Sequence, residues 1–194
     1  LTDDLPDIRK AWKRGVATGR GRELALGAAG LKVLFAILGM YESGVELLRG
    51  AAESLCDSKP EAVAMIELAV GQLELRTARY EVAIRHLDIA LGTLSEGADA
   101  QALVEAYVAK ASALKRLGKL EAAREWFQKA MEPLEAAHST ELRATALLGL
   151  GDLANHEHDY SKAVKLCREA RELFREIGDP MGAVNCSITL SNIH

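Results

Sequence analysis

Small residues recur along this chain at Gly44, Ala83, Ala123 and Ala163, in steps of 39, 40 and 40. Seven positions after each stand Ala51, Ala90, Ala130 and Ala170, and three before each stand Tyr41, Tyr80, Leu120 and Tyr160. A period of this size is the signature of stacked supersecondary units, each contacting only its neighbours. Seven residues make two helical turns, so the two small residues of each copy share one helix face. Paired helices approach most closely near their connecting turn, where a large side chain would hold them apart. The aromatic residue at the turn is expected to fill the space between adjacent units.

The helical reading extends to the whole chain. Only four prolines occur among 194 residues, 49% of residues are apolar and 27% are charged, which suits a folded, helix-rich protein. Apolar spacing predicts helices over residues 4–18, 22–38, 41–55, 60–77, 80–94, 100–117, 119–137, 140–156 and 160–177, with a last helix opening at Pro180. Gly19, Gly39, Gly118 and Gly178 stand at helix stops. Ser58-Lys59-Pro60-Glu61 reads as a capping box with an early proline, and Asp179 as the cap of the last helix. Residues 95–99 read as a loop. No segment alternates as a strand does. The expected fold is all-α, a right-handed superhelical solenoid of antiparallel helix pairs, each with a helix A and a helix B. Residues 1–20 form an N-terminal capping or linker helix. Repeats follow over 22–57, 58–96, 97–138, 139–178 and a truncated 179–194.

These residues resemble the tetratricopeptide repeat. The fullest copy reads Tyr107, Ala111, Leu114, Gly118, Leu120, Ala123, Phe127, Ala130. The next reads Leu147, Gly151, Ala154, His158, Tyr160, Ala163, Cys167, Ala170, with His158 where the family has glycine. The copy before reads Gly71, Ala78, Tyr80, Ala83, Leu87, Ala90, and a weaker first copy reads Leu31, Phe35, Gly39, Tyr41, Gly44, Leu48, Ala51. The units are longer than the usual ~34 residues, and the closing proline of the family is mostly absent. In this the chain is similar to the helical sensor arms of bacterial STAND-type signal-transduction ATPases and transcriptional regulators. The opening Leu5-Pro6-Asp7-Ile8-Arg9-Lys10-Ala11-Trp12 resembles the segment that joins such an arm to its nucleotide-binding module.

The resemblance implies a groove lined by three inward positions of each helix A. The first carries Val33, Gln72, Ser112, Asp152 and Asn192. The second carries Ala36, Leu75, Lys115 and Asn155. The third carries Ile37, Arg76, Arg116 and His156. Candidate binding residues are therefore Gln72, Arg76, Ser112, Lys115, Arg116, Asp152, Asn155, His156 and Asn192. Arg76, Lys115 and Arg116 suit a carboxylate or phosphate, Arg through its bidentate fork. Gln72, Asn155 and Asn192 suit the backbone of an extended peptide. The competing reading is a hydrated groove whose cations pair with carboxylates such as Asp152. The first unit is apolar inside, and Leu5, Ile8 and Trp12 are the obvious cover for Val33, Ala36 and Ile37.

Chemistry of other kinds is not indicated. There is no Walker A loop, GxGxxG, GxSxG, HExxH or EF-hand pattern, so neither catalysis nor a cofactor is expected. His156-Glu157-His158-Asp159 lies at a turn and reads as a solvated polar turn, because a metal would need a further ligand. A net charge of −4 argues against a sequence-independent grip on nucleic acid. The basic run from Arg9 to Arg22 is interleaved with Trp12 and Val16 and reads as a solvated face or a seam to an upstream domain. The apolar stretch 24–38 contains Lys32 and is shorter than a membrane span. Cys56, Cys167 and Cys186 show no pairing spacing and suit a reducing, cytoplasmic compartment, with Cys167 on a core position.

The chain opens at Leu1 and ends part-way through a unit, so it reads as a piece of a longer regulator that binds a protein, a peptide or a small effector. The alternative is a stand-alone scaffold that assembles partner proteins without switching. Ile188 and Leu190 lack a following helix B and are expected to favour self-association.

Overall fold

A computed structural model describes residues 4–55, 59–94 and 99–193. Among these residues the chain forms eleven helical segments and no strand. They fall into two compact units, Leu1–Ala98 and Asp99–His194.

The first unit contains α1 (Leu5–Ala17), α2 (Gly21–Ile37), α3 (Tyr41–Leu55), α4 (Pro60–Arg76) and α5 (Tyr80–Leu94). Its core joins Leu5 and Trp12 of α1 to Leu24, Leu31 and Phe35 of α2, Leu48 of α3, and Ile66, Val70 and Leu73 of α4. The second contains α6 (Ala100–Arg116), α7 (Leu120–Met131), α8 (Leu134–Ala137), α9 (Thr140–His156), α10 (Tyr160–Glu176) and α11 (Pro180–Ser191). There Ala144 and Leu147 of α9 pack with Ala170 and Phe174 of α10 and Cys186 of α11.

The periodic small residues are buried because neighbouring helices touch at them. Ala83, Ala123 and Ala163 are fully buried, as are Ala90, Ala130 and Ala170. A Cβ placed on Gly44 would lie 2.9 Å from Phe35 and Leu73, and one on Gly71 would lie 2.8 Å from Leu87. Tyr41, Tyr80 and Leu120 are half-buried, but Tyr160 is exposed, its hydroxyl 2.8 Å from Nδ1 of His158. At that turn the expected filler of inter-unit space caps a polar corner instead.

The turns between paired helices are copies of one another. The backbone N–H of Gly39, Ala78, Gly118 and His158 donates to the carbonyl three residues back, and the next N–H donates five residues back. This closure requires a left-handed residue. Accordingly φ is +66° at Gly39, +58° at Ala78, +73° at Gly118 and +62° at His158. Glycine is the natural occupant, since an L side chain crowds the following carbonyl there. Ala78→Gly should therefore raise stability by about 1 kcal/mol, relief of that crowding exceeding the added freedom of the unfolded glycine. Urea melts of the two proteins check it; a lower midpoint for the glycine variant would count against this turn.

Several expectations are corrected. The helix expected over 119–137 is interrupted at Glu132 and Pro133, because proline removes an N–H and crowds the preceding turn. The cap before α4 is Lys59, without a side-chain cap bond; Ser58, and the loop 95–98, lie outside the described residues. Asp99 and Asp179 do cap, accepting from the N–H of Gln101 and from those of Met181 and Gly182. Helix α1 does not cover the inward apolar residues of α2: Val33 is 50% and Ile37 72% exposed. Trp12 instead packs its benzo edge against Gly27.

Cys167 and Cys186 are both free and fully buried. Burial raises their thiols from an ordinary 9.0 to about 12 and about 11, and the negative charge of Asp152 adds to both. The neutral thiol is thus the native form. Its contribution to stability is complete below pH 9 and is lost as pH rises towards 11–12. Alkylation at pH 8 followed by peptide mapping should leave both residues unmodified until the protein is unfolded. Rapid modification of either in the native protein would show that this core opens. Cys56 lies outside the described residues.

Candidate functional site

The A helices of the second unit, α6, α9 and α11, pack side by side. Their one-in-three-or-four spacing brings a row of polar side chains onto the same side. Lys115 of α6 pairs through Nζ with Oδ2 of Asp152 on α9, and both side chains are about four-fifths buried. The other oxygen of Asp152 accepts a hydrogen bond from Oγ1 of Thr189 on α11, at 2.7 Å. Each partner lies 37 residues from Asp152. Ser112 and Asn155 are half-buried, while Arg116 and His156 are exposed at the ends of their helices. Asn192 follows α11 as its C-cap, its N–H donating to the carbonyls of Ile188 and Thr189.

Of the three cations offered by the inward positions, Lys115 is paired with Asp152, as in the competing reading of the groove. A largely buried pair of opposite charges holds its geometry better than two hydrated side chains, and the charge of Lys115 is met within it. Thr189 had not been singled out. The signal for it was the 37-residue spacing: as Asp152 lies 37 residues after Lys115, Thr189 lies 37 residues after Asp152, one helical turn before the inward position held by Asn192.

In the first unit, Gln72 is half-buried on α4, and Arg76 is exposed at the end of that helix. Two ionic contacts near them also escaped sequence reading. Glu74 is 2% exposed and accepts from Arg79 Nε, and Arg79 reaches Glu42 of α3 at 3.3 Å. Hydrogen bonding to Glu74 raises the Arg79 guanidinium above its usual range, against the effect of burial. Glu67, 8% exposed, meets Nδ1 of His86 at 2.5 Å. The repeat period carries Glu67 and His86 onto Tyr107 and Trp126, whose rings lie 5.4 Å apart. Lys110 and Lys129 lie over the Trp126 ring, 3.7 and 4.3 Å from its centroid. One structural position thus accepts an ionic pair in one repeat and an aromatic pair in the next.

The polar turn at 156–159 is engaged in other ways. Glu157 pairs with Arg124, His158 faces Tyr160, and Asp159 accepts from the N–H of Lys162. No group of three or more metal-ligating side chains is assembled among the described residues, and no described helix is long and apolar enough to cross a membrane.

Comparison with known proteins bears on the fold. Residues 104–132 match a family model described as tetratricopeptide repeat. No curated protein matches the chain by sequence. BtubC (BKLC) from P. vanneervenii superposes with a TM-score of 0.64 at 18% identity, over 97% of this chain and 90% of that one. The apo form of RapI gives 0.69 at 18%, over 98% of this chain and 54% of RapI. YrrB, described as a TPR protein with an unusual peptide-binding site, gives 0.53 at 14%, over 96% and 93%. The chain therefore has the fold of the tetratricopeptide-type helical repeat proteins, and its third expected repeat carries that sequence motif.

Proposed function

We propose that this tetratricopeptide-type chain is a non-catalytic module that binds an extended peptide segment of a partner protein. The observation that carries this reading is the polar row on α6, α9 and α11. Ser112, Lys115, Asp152, Asn155 and Thr189 form a half-buried line of hydroxyl, amide and paired charged groups on one side of these helices. Such a line can hydrogen-bond a peptide backbone, and Arg116, His156 and Asn192 at its edges can read acidic or polar side chains. Gln72 and Arg76 offer the same groups in the first unit. A module of this kind needs no cofactor.

The test begins with peptides selected by display against the purified chain. Arg116→Ala should weaken the selected peptide by about tenfold, the loss of one charge-assisted contact, and Arg76→Ala tests the groups of the first unit separately. Unchanged affinity in a calorimetric titration would remove this groove from the reading.

The finer reading is that the module is the sensor arm of a larger bacterial regulator in the cytoplasm, responding to a peptide, protein or small effector. Its support is the long repeat unit and the opening segment from Leu5 to Trp12. A Walker A loop encoded upstream of Leu1 would uphold it. A start codon at Leu1 would favour the scaffold instead. Self-association has one observation in its favour. Met181, Val184 and Ile188 are 68%, 51% and 53% exposed on one face of α11. Leu190, grouped with Ile188 in the sequence, is half-buried. Sedimentation over rising concentration, repeated with Ile188→Ser, tests that face; a monomer throughout excludes it.

A further inference from the structure

A groove of about 580 Å³ runs between α1 and α2 in the first unit, and it includes neither Gln72 nor Arg76. Ile8 and Ala11 line it from α1, and Gly27, Gly30, Leu31 and Leu34 from α2. Packing within the unit explains Gly27, where a Cβ would lie 3.1 Å from the Trp12 ring. It does not explain Gly30. A Cβ there meets nothing within 4 Å, yet glycine weakens a helix interior relative to alanine. Beside Gly30, at helical spacing along α2, stand Leu26, Val33 and Ile37, which are 71%, 50% and 72% exposed. Groove and stripe together make one apolar surface, of the kind that marks a contact site.

Backbone chemistry is the first constraint on the occupant. The groove follows α2 from Glu23 to Leu34, about 16 Å at 1.5 Å per residue. An extended peptide would bring its N–H and C=O groups against walls that offer few partners. The backbone of both helices is already bonded, and the lining hydroxyl of Thr18 donates to the carbonyls of Arg14 and Gly15. A helix satisfies its own backbone and presents apolar side chains at i, i+3 or i+4, and i+7. Charge is the second constraint. Exposed Arg14 and Arg20 stand at the end near the α1–α2 turn, with Glu23 as the single carboxylate of the lining. From Asp7 to Glu23 the chain carries six cations and two carboxylates, although its net charge is −4. We propose that the α1–α2 groove docks an amphipathic helix of a partner protein, its apolar edge against Gly30, Leu31 and Leu34 and acidic residues at one end against Arg14 and Arg20. The exposed apolar face of α11 in a second copy does not suit this rim, because that helix carries no charged residue.

Gly30 makes the surface testable without harm to the fold, since the side chain of Gly30→Leu enters the groove and not the core. A displayed library of helical peptides with randomised outward positions is selected on the intact chain and counter-selected on Gly30→Leu, which should melt no lower than the parent. The expected result is enrichment of helices with apolar residues at i, i+3 or i+4, and i+7 and with Asp or Glu grouped at one end. Fluorescence anisotropy should show them bound about 30-fold more weakly by Gly30→Leu. Arg14→Glu with Arg20→Glu should weaken the same helices about tenfold, and that loss should vanish when their acidic residues are replaced by glutamine. Both arginines are exposed, so this variant decides the matter if Gly30→Leu fails to fold. No peptide preferring the parent over Gly30→Leu, enriched peptides flanked by Lys or Arg, or affinity kept when a central proline breaks the helix would each overturn the proposal. So would a self-association of the parent that Gly30→Leu abolishes, which would make a second copy the occupant. The groove variants at Arg76 and Arg116 leave this binding unchanged, so the two sites fail or stand separately.

Discussion

Gly149→Ala is expected to destabilise the protein by about 3 kcal/mol, although alanine is the better helix former by about 1 kcal/mol. Gly149 lies mid-way along α9, where a Cβ would sit 2.2 Å from Cζ of Phe127 and within 2.7 Å of two further ring atoms. The ring of Phe127 is 1% exposed and belongs to α7, so it has nowhere to move without displacing the helix. Interiors packed at crystal density transmit such an overlap as strain. The sign of the effect decides the matter. If urea melts show Gly149→Ala to be stabilising, intrinsic helix propensity governs and the α7–α9 packing is wrong. Phe127→Leu added to Gly149→Ala should recover part of the loss, because the shorter side chain vacates the contested space. Additivity of the two changes would mean that they do not touch.

Arg79→Met is expected to cost about 3 kcal/mol, the range for leaving a buried charge without its partner. Glu74 is the group at risk. It is 2% exposed and accepts from Arg79, and Oγ1 of Thr77 lies 3.3 Å from the same oxygen. The lost link from Arg79 to Glu42 adds little, since Glu42 is 81% exposed in its side chain. Glu74→Leu with Arg79→Met should regain most of the loss, since apolar replacement of both partners removes the stranded charge. Thermal melts of the single and double variants check this. If Arg79→Met is within 0.5 kcal/mol of the parent, the range of an ordinary surface change, then Glu74 is reached by water and the pair is not structural.

Much of this molecule was legible from spacing alone. The helix termini, the turns and the buried small residues follow from local rules: 3.6 residues per turn, the left-handed stop, and small residues where helices meet. Those rules depend on residues within one or two helical turns, and a repeat states them several times over. The exceptions were also local, but unrepeated. Pro133 interrupts a helix in one copy only, and Tyr160 is exposed at its turn with its hydroxyl against His158.

The candidate site was legible only in part. Family positions placed Ser112, Lys115, Asp152 and Asn155 on one side of their helices, and the helices do lie together. Sequence does not say which charges meet. Whether Lys115 is a free cation or the partner of Asp152 depends on the offset between α6 and α9, a matter of inter-helix packing. The same holds for Thr189, for Glu74 with Arg79, and for the burial of Trp12 against Gly27.

By itself, then, the sequence determined that this chain is an all-helical array of paired helices with a period near 40, where its turns fall and which small residues those turns bury. These are short-range consequences of backbone geometry, repeated until they are unambiguous. Only the tertiary structure decided which polar groups are satisfied and which are not. Lys115 is neutralised, Glu74 is buried with a partner, and Nε1 of Trp12 is buried without one. The reason is physical: a hydrogen bond depends on tenths of an ångström and on direction, which helix periodicity leaves free and side-chain packing settles.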